Sequence, residues 1–254
     1  MNALARMARK VNSLEVVLTR NIKAHPLGTR LTEPVVSFCF DDFARSAVTE
    51  GAKMLRERGW AGTFYAAGSF CGREVDGIPY FTEDDLRQVH DEGHEIGCHT
   101  FSHLRVAGKN ASTILDDLKR NAEFLGKILP EHRCSSFAYP FGDLRLPQKL
   151  LLARQFGVCR GIWSGINRGR MDFGELKAIG LAQVGPDFHE IIGWIELAVH
   201  VKAWLIFFTH DVSRQPNAYG YHSDTFAKLL DIVAAHGVRV LPVKNAVGLA
   251  RFAN

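Results

Sequence analysis

Apolar segments of strand length alternate with segments of helical periodicity along most of the chain. Seven apolar segments are predicted to be strands, at residues 35–40, 62–68, 94–100, 135–141, 157–163, 204–210 and 237–243. Five helices are predicted at residues 46–59, 82–93, 111–129, 186–202 and 223–237, and three of them end at a glycine. Because the strands are too apolar to keep one face in water, the pattern favours a parallel sheet covered by helices.

Length and composition limit the fold and the partners. The chain has 254 residues, of which 46% are hydrophobic and 23% are charged, so it can bury a large core in one α/β domain. A closed or nearly closed β/α barrel fits this length. Lys and Arg are mixed with Asp and Glu, and the formal net charge is only +4, so nucleic acid is not an expected partner.

The five cysteines are widely spaced and contain no C-x-x-C pair. This spacing argues against a disulfide framework and against a thiolate zinc site, and it favours a reducing compartment.

The N-terminal segment, residues 1–32, carries scattered basic residues and no unbroken apolar run, so it resembles neither a signal peptide nor a membrane span. We expect a basic helical extension packed on a domain formed by residues 33–254, in a cytoplasmic protein without a transmembrane segment. The alternative is a weak peripheral contact with the inner membrane. The basic residues of the N-terminal segment that would make this contact are Arg6, Arg9, Lys10, Arg20 and Lys23.

Titratable side chains stand at the ends of three predicted strands. Asp41 and Asp42 end the first strand, His99 and His103 follow the third, and His210 ends the sixth. Two adjacent carboxylates at the end of a buried strand repel each other and lose hydration, so they need a nearby cation. Two histidines four residues apart, with one carboxylate, can form a three-ligand site with open positions. The missing cation is therefore predicted to be a divalent metal ion.

Four segments carry a resemblance to a known family. SFCFDDF, HEIGCHTFSH, FAYPFGD and IFFTHD, in this order, resemble the motifs of the polysaccharide deacetylase family, also called the NodB homology group or carbohydrate esterase family 4. The resemblance covers roughly residues 33–243. It implies a distorted (β/α)7 barrel, in agreement with the seven predicted strands, and a hydrolase that removes N-acetyl groups from saccharides.

The resemblance also implies a role for each matching residue. Asp42, His99 and His103 match the metal ligands, with zinc as the expected ion and cobalt, nickel, manganese and iron as alternatives. Asp41 matches the general base, and His210 matches the general acid.

Residues around the third motif and two aromatic residues are expected to contact substrate. Phe141 follows the third-motif proline, and the resemblance implies that its backbone N–H binds the oxyanion. Candidate substrate-binding residues are Tyr139, Pro140, Trp163 and Phe208. Trp163 is either an apolar wall for the acetyl methyl group or a core aromatic residue.

The chain departs from the family pattern in two places. Many members carry an arginine just before the third-motif proline, which orients the catalytic aspartate; FAYPFGD has none, and Arg133 lies too far upstream. The Asp-Trp pair of the fourth motif is not recognisable. Asp211 is expected to face away from His210 on a regular strand, so the sequence does not identify the group that polarises His210.

The expected substrate is an N-acetylated saccharide, on a nucleotide or lipid carrier, used in cytoplasmic assembly of a surface polysaccharide. Two alternatives come from other classes. An Fe(II) oxygenase also uses two histidines and one carboxylate, but such sites usually lie on all-β folds with H-x-D spacing. A non-catalytic glycan-binding relative would be expected to lose Asp41 or His210, and both are present.

Overall fold

A curled parallel sheet forms the centre of the computed structural model, which describes residues 15, 17–28 and 30–251. Within these residues the sheet has eight strands: β1 (Val35–Asp41), β2 (Thr63–Ala66), β3 (Glu95–Cys98), β4 (Ser136–Ala138), β5 (Val158–Arg160), β6 (Ile179–Gly180), β7 (Trp204–Thr209) and β8 (Arg239–Val240). Their order is β6-β7-β1-β2-β3-β4-β5, with β8 paired to β1, and every pair is parallel. This architecture confirms the distorted (β/α)7 barrel.

All seven predicted strands belong to this sheet, and β6 is the one that the sequence did not predict. Only two residues of β6 pair with β7, which is too short a segment to show strand periodicity. Part of the segment between Phe173 and Gly180 also hydrogen-bonds to β5, because the Leu176 N–H donates to the Cys159 carbonyl at 2.8 Å. One segment thus contacts both edge strands and brings the curled sheet close to closure.

Helices cover the outside of the sheet. In the described part of the chain they are α1 (Lys53–Arg56), α2 (Glu83–Asp91), α3 (Ala111–Ile128), α4 (Leu146–Gln155), α5 (Phe188–Val201), α6 (Ser223–Ala235) and α7 (Val243–Arg251), with a π-helical segment, Ala47–Ala52, before α1. The five predicted helices are confirmed. The helices α4 and α7 were not predicted: α4 has only weak amphipathic periodicity, with two buried polar residues, and α7 starts directly after Pro242 at the end of a segment predicted as strand.

Local sequence signals account for several helix ends. Thr82 and Asp85 form a capping box at the start of α2, with the Asp85 N–H donating to Thr82 Oγ1 at 3.2 Å and the Thr82 N–H donating to Asp85 Oδ2 at 2.8 Å. Gly59, Gly93 and Gly237 follow three helices with φ of +69°, +83° and +62°, a backbone region that glycine adopts without a Cβ penalty.

Side chains along β1 alternate between the two faces of the sheet, and this alternation determines where Asp41 lies. Phe38 and Phe40 pack outward against the helices, whereas Val35 and Cys39 pack on the inner side of the curled sheet. Asp41 follows Cys39 at a spacing of two residues, so its side chain lies on the inner side as well.

Short strands outside the barrel sheet pair at its rim. Pro26–Gly28 pairs with Arg170–Asp172, Glu74–Val75 with Ile78–Pro79, and Val212–Ser213 with Tyr221–His222.

All five cysteines are described and free, and Cys98 is buried as a core residue. No helix among the described residues has the length and apolar character needed to cross a membrane.

The described part of the N-terminal segment contacts the barrel. Residues 17–21 are helical, Lys23 donates to the Arg170 carbonyl, and the Arg20 guanidinium stacks on Trp163. Arg6, Arg9 and Lys10 lie outside the described residues, so the division at residue 32 and the membrane contact remain predictions.

A buried lysine fastens this segment to the barrel. Lys149 on α4 is 1% exposed, and its Nζ lies 2.8 Å from each of Asp172 Oδ2, Glu175 Oε2 and the Thr19 carbonyl. The ammonium group therefore uses its three donors on three acceptors. It joins the N-terminal segment to the segment that nearly closes the barrel.

We expect Lys149→Met to lower the free energy of unfolding by about 3–5 kcal/mol, because it leaves two buried carboxylates without their cation while keeping an apolar side chain in place. Urea unfolding of the variant and the native chain measures this difference. The matched control is Lys119→Met on α3, where the side chain is 75% exposed and the expected change is within about 0.5 kcal/mol. Equal effects at the two positions would contradict the role given to Lys149.

Candidate active site

A buried ion pair crosses the inside of the barrel. Arg160, the last residue of β5, places Nη2 2.5 Å from both carboxylate oxygens of Asp41, the last residue of β1. Its Nη1 donates to the Gly161 carbonyl at 3.0 Å, and its guanidinium lies 4.8 Å from the ring centre of Phe208 and 5.2 Å from that of Tyr65. The arginine absent from the third motif is thus replaced by one from a different strand.

The ion pair keeps Asp41 charged. Burial alone would raise the pKa of the Asp41 carboxyl group, but the adjacent Arg160 guanidinium outweighs this effect and lowers the pKa below its ordinary value. A carboxylate that remains ionised and has a fixed orientation can accept a proton near neutral pH.

Asp42 leaves the regular strand and turns toward two histidines. Its φ is +49°, so its side chain no longer follows the alternation that places Asp41 inside the barrel. Asp42 Oδ2 lies 2.9 Å from Nε2 of His103 and 3.7 Å from Nε2 of His99. The two adjacent carboxylates therefore face different partners, which resolves the repulsion that their sequence position implies.

The loop between the two histidines is held by an aspartate that the sequence analysis did not identify. Asp117 on α3 is buried, and its Oδ2 accepts the N–H groups of Phe101 and Ser102 at 2.8 and 3.0 Å. His103 itself has a φ of +52°. This strained loop brings His103 onto the same side as His99, as the H-x-x-x-H spacing predicted.

The arrangement of Asp42, His99 and His103 fits a divalent metal ion. Their candidate ligand atoms all lie within 4.8 Å of one another, and Oδ1 of Asp42 is buried with no hydrogen-bond partner among the described residues. Nδ1 of His99 lies 2.8 Å from the Ala138 carbonyl, which can only accept, so Nδ1 carries the proton and Nε2 is the free ligand atom. Burial lowers the pKa of His99 despite the nearby Asp42 and Asp41, which favours the neutral imidazole that metal binding requires.

His210 follows β7 directly. Its Nδ1 is buried and has no hydrogen-bond partner in the described part of the chain. Asp211 points elsewhere, as predicted, and accepts hydrogen bonds from Ser46 and from the Asn217 N–H. The His210 ring lies 6.3 Å from the ring of Phe208 and 5.8 Å from that of Tyr219.

Phe141 lies beside the metal-ligand candidates. It occupies the turn Pro140–Gly142 with a φ of +60°, its side chain is 51% exposed, and its ring centre is 4.3 Å from that of His103. The Arg105 guanidinium covers the ring at 4.1 Å. The turn thus places the Phe141 backbone at the site, and its oxyanion role remains a prediction.

Three of the four predicted substrate-binding residues are buried or half-buried. Tyr139 is buried and donates its hydroxyl proton to the Gly174 carbonyl at 2.8 Å, and Pro140 is buried beside it. Phe208 lies between Arg160 and His210. Their contacts with substrate remain predictions.

Trp163 lines a groove of about 290 Å³ together with Phe141. One face of its ring is covered by the Arg20 guanidinium. Its contact with an acetyl methyl group also remains a prediction.

Two groups of this site were missed from the sequence, Arg160 and Asp117. Arg160 is the single charged residue of the apolar segment GVCRGIW, and a lone charge in a buried strand is the signal that could have identified it. Asp117 lies in an ordinary amphipathic helix with other charged residues, where nothing distinguishes it from a solvated one.

Comparisons with known structures show that other proteins have the same fold. PdaA from Bacillus subtilis, a family 4 carbohydrate esterase, shares 16% identity and a TM-score of 0.57, with 94% of this chain and 89% of PdaA covered. A family 4 carbohydrate esterase from Bacillus anthracis shares 16% identity and a TM-score of 0.60, with coverage of 93% and 92%. The chitin deacetylase of the fungal pathogen Colletotrichum lindemuthianum shares 16% identity and a TM-score of 0.60, with coverage of 88% and 92%.

No curated protein sequence matches the chain. The model of the polysaccharide deacetylase family matches residues 28–159, which is more than half of the chain and includes Asp41 and the metal-ligand candidates Asp42, His99 and His103. The chain therefore belongs to the polysaccharide deacetylase family.

Proposed function

We propose that the protein is a metal-dependent hydrolase that removes N-acetyl groups from an amino sugar or a saccharide. The observation that carries the proposal is the buried Arg160–Asp41 pair directly beside the cluster of Asp42, His99 and His103. Membership of the polysaccharide deacetylase family supports hydrolysis of the amide bond in an acetylated sugar.

Asp42, His99 and His103 would hold the divalent ion, with zinc as the expected metal. When bound, such an ion supplies a Lewis acid and lowers the pKa of a bound water. One carboxylate and two imidazoles leave coordination positions for water and substrate.

The protein's own groups supply the proton transfers. An amide has a poor leaving group, so its hydrolysis needs a base for the attacking water and an acid for the departing nitrogen. Asp41, held ionised by Arg160, accepts the proton of the water. His210 in its protonated form donates a proton to the nitrogen, and the Phe141 N–H donates a hydrogen bond to the oxygen that becomes negatively charged.

The two alternative functions are less well supported. An Fe(II) oxygenase would share the ligand set but not the parallel β/α barrel or the family match. A non-catalytic glycan-binding relative is suggested by two departures from the family pattern, the missing arginine of the third motif and the missing Asp-Trp pair of the fourth. Arg160 takes up that orienting contact with Asp41, which removes one reason for expecting an inactive protein.

The carrier and the compartment belong to the same proposal. We expect a nucleotide- or lipid-linked saccharide, modified in the cytoplasm or at the inner membrane surface during synthesis of a surface polysaccharide. Free cysteines, three of them buried, fit a reducing compartment.

The first test separates the two aspartates. The wild type should release acetate from N-acetylglucosamine oligomers and lose this activity with chelator. Asp42→Asn should bind metal weakly and recover part of its activity in excess metal, because an amide oxygen is a poorer ligand. Asp41→Asn should keep its metal while kcat falls by ~10²–10⁴-fold.

Metal content and steady-state kinetics across a metal titration measure both effects. Rescue of Asp41→Asn by added metal would contradict its role as base. Full acetate release by metal-free wild type would overturn the metal-dependent mechanism.

Arg160→Lys tests the orientation of the base. Lysine keeps the positive charge but lacks the planar guanidinium, whose Nη1 donates to the Gly161 carbonyl and which packs against Tyr65 and Phe208. The cation of the variant is therefore less well fixed against Asp41, and kcat should fall by ~10–100-fold with the metal content unchanged. The control is Arg154→Lys on the exposed side of α4, for which wild-type kinetics are expected. Wild-type kcat in Arg160→Lys would show that charge alone is sufficient.

His210→Ala tests the general acid. The variant should keep its metal and lose ~10²–10⁴-fold in amide hydrolysis, because the departing nitrogen needs a proton. An acetyl ester with a nitrophenol leaving group needs no such proton and should lose much less. Equal losses on the amide and the ester would show that His210 does not act as the acid.

A further inference from the structure

Asp211, the residue after His210, organises the loop formed by residues 211–221. Asp211 is buried, its Oδ1 accepts a hydrogen bond from Ser46, and its Oδ2 accepts one from the Asn217 N–H at 3.2 Å. The Ser213 hydroxyl lies 3.4 Å from the same Oδ2. A buried carboxylate needs such donors to offset its lost hydration, and Asp211 takes them from Ser46 and from the loop rather than from His210.

The base of this loop is also closed by the backbone. Val212–Ser213 pairs in parallel with Tyr221–His222, and the Tyr221 N–H donates to the Asp211 carbonyl at 2.8 Å. A Cβ at Gly220 would lie 2.7 Å from the Cβ of Asp211, so only glycine allows this close approach. The loop therefore has a defined shape around one buried carboxylate.

The loop presents an aromatic ring to solvent beside the general acid. Tyr219 is 65% exposed, although its N–H donates to Asn217 Oδ1 at 2.7 Å and its ring centre is 5.8 Å from that of His210. Among the described residues, Tyr219 and Phe141 are the two exposed aromatic side chains. Phe141 contacts His103 and Tyr219 contacts His210, so these rings mark the two sides of the site.

An exposed ring on an ordered loop is suited to bind a sugar. A pyranose presents C–H groups on one face, and an aromatic ring that is already oriented covers this face at a small cost in side-chain entropy. We propose that Tyr219 binds the saccharide by stacking on a pyranose ring, and that Asp211 is the positioning residue that holds the loop in place. This inference rests on the proposed function and concerns affinity for the saccharide rather than the chemical step.

Kinetics with the N-acetylglucosamine tetramer test the stacking. Tyr219→Ala should raise KM about 10-fold and change kcat by less than twofold, because stacking on a ring binds ground state and transition state alike. Tyr219→Phe keeps the ring and should retain the wild-type KM. For 4-nitrophenyl acetate, which has no sugar ring, the rise in KM should be several-fold smaller than for the tetramer.

A double-variant cycle tests Asp211. Asp211→Ala should raise KM for the tetramer about as much as Tyr219→Ala, and adding it to Tyr219→Ala should have little further effect, because both changes remove one contact. Leu115→Ala, on α3, is the control for a truncated apolar surface residue. Additive effects of the two variants would overturn the positioning role.

Binding without turnover separates this inference from the proposed function. The glucosamine tetramer, titrated calorimetrically, should bind the wild type and Tyr219→Phe equally and Tyr219→Ala about 10-fold more weakly. Equal affinity of wild type and Tyr219→Ala, or no binding to the wild type, would overturn the stacking. Tyr219-dependent binding without any acetate release would uphold the stacking and refute the deacetylase.

Discussion

The ion pair between Arg160 and Asp41 is the contact on which the rest of the site depends. Two charges are removed from water inside the barrel, and two short hydrogen bonds to one nitrogen offset that loss. The rings of Tyr65 and Phe208 enclose the guanidinium, so its position is set by packing as well as by charge. Because β1 and β5 are not neighbours in the sheet, the pair also links two distant parts of the barrel.

This contact allows two adjacent aspartates to have different properties. Asp41 stays in strand geometry and faces a fixed cation, while Asp42 adopts a positive φ and faces two imidazoles. If both faced one cation, they would compete for it. A single turn of the backbone thus separates a repulsive pair into a proposed base and a candidate metal ligand.

The opposite side of the site is built differently. Among the described residues no carboxylate hydrogen-bonds to Nδ1 of His210, and the neighbouring Asp211 instead orders a loop. The buried carboxylate of Asp211 therefore fixes the shape of the rim, and Nδ1 of His210 has no hydrogen-bond partner in the part of the chain that the structure describes. Asp117 has a similar role, because this buried carboxylate orders the loop between His99 and His103. Neither aspartate is proposed to react. Asp117 orders the loop that leads to His103, and Asp211 orders the loop that carries Tyr219.

Much of the fold could be read from the sequence because its signals are local. Seven strands, five helices and the glycines that end three of them follow from periodicity and capping within a few residues. The grouping of Asp42, His99 and His103 was also predictable, since strand ends of a parallel sheet lie at one edge. Strand β6 was not, because its two residues pair only where the curled sheet brings β7 alongside.

Local patterns in the sequence are therefore enough to identify the barrel and the metal-ligand candidates at its rim. The three-dimensional packing was needed to see that Arg160 faces Asp41, that Asp117 holds the histidine loop and that Tyr219 stands beside His210. The physical reason is that these contacts join residues from separate elements across a curved sheet or a folded loop. Their distances depend on the curvature and packing of the whole barrel, and no local pattern of side chains encodes that curvature.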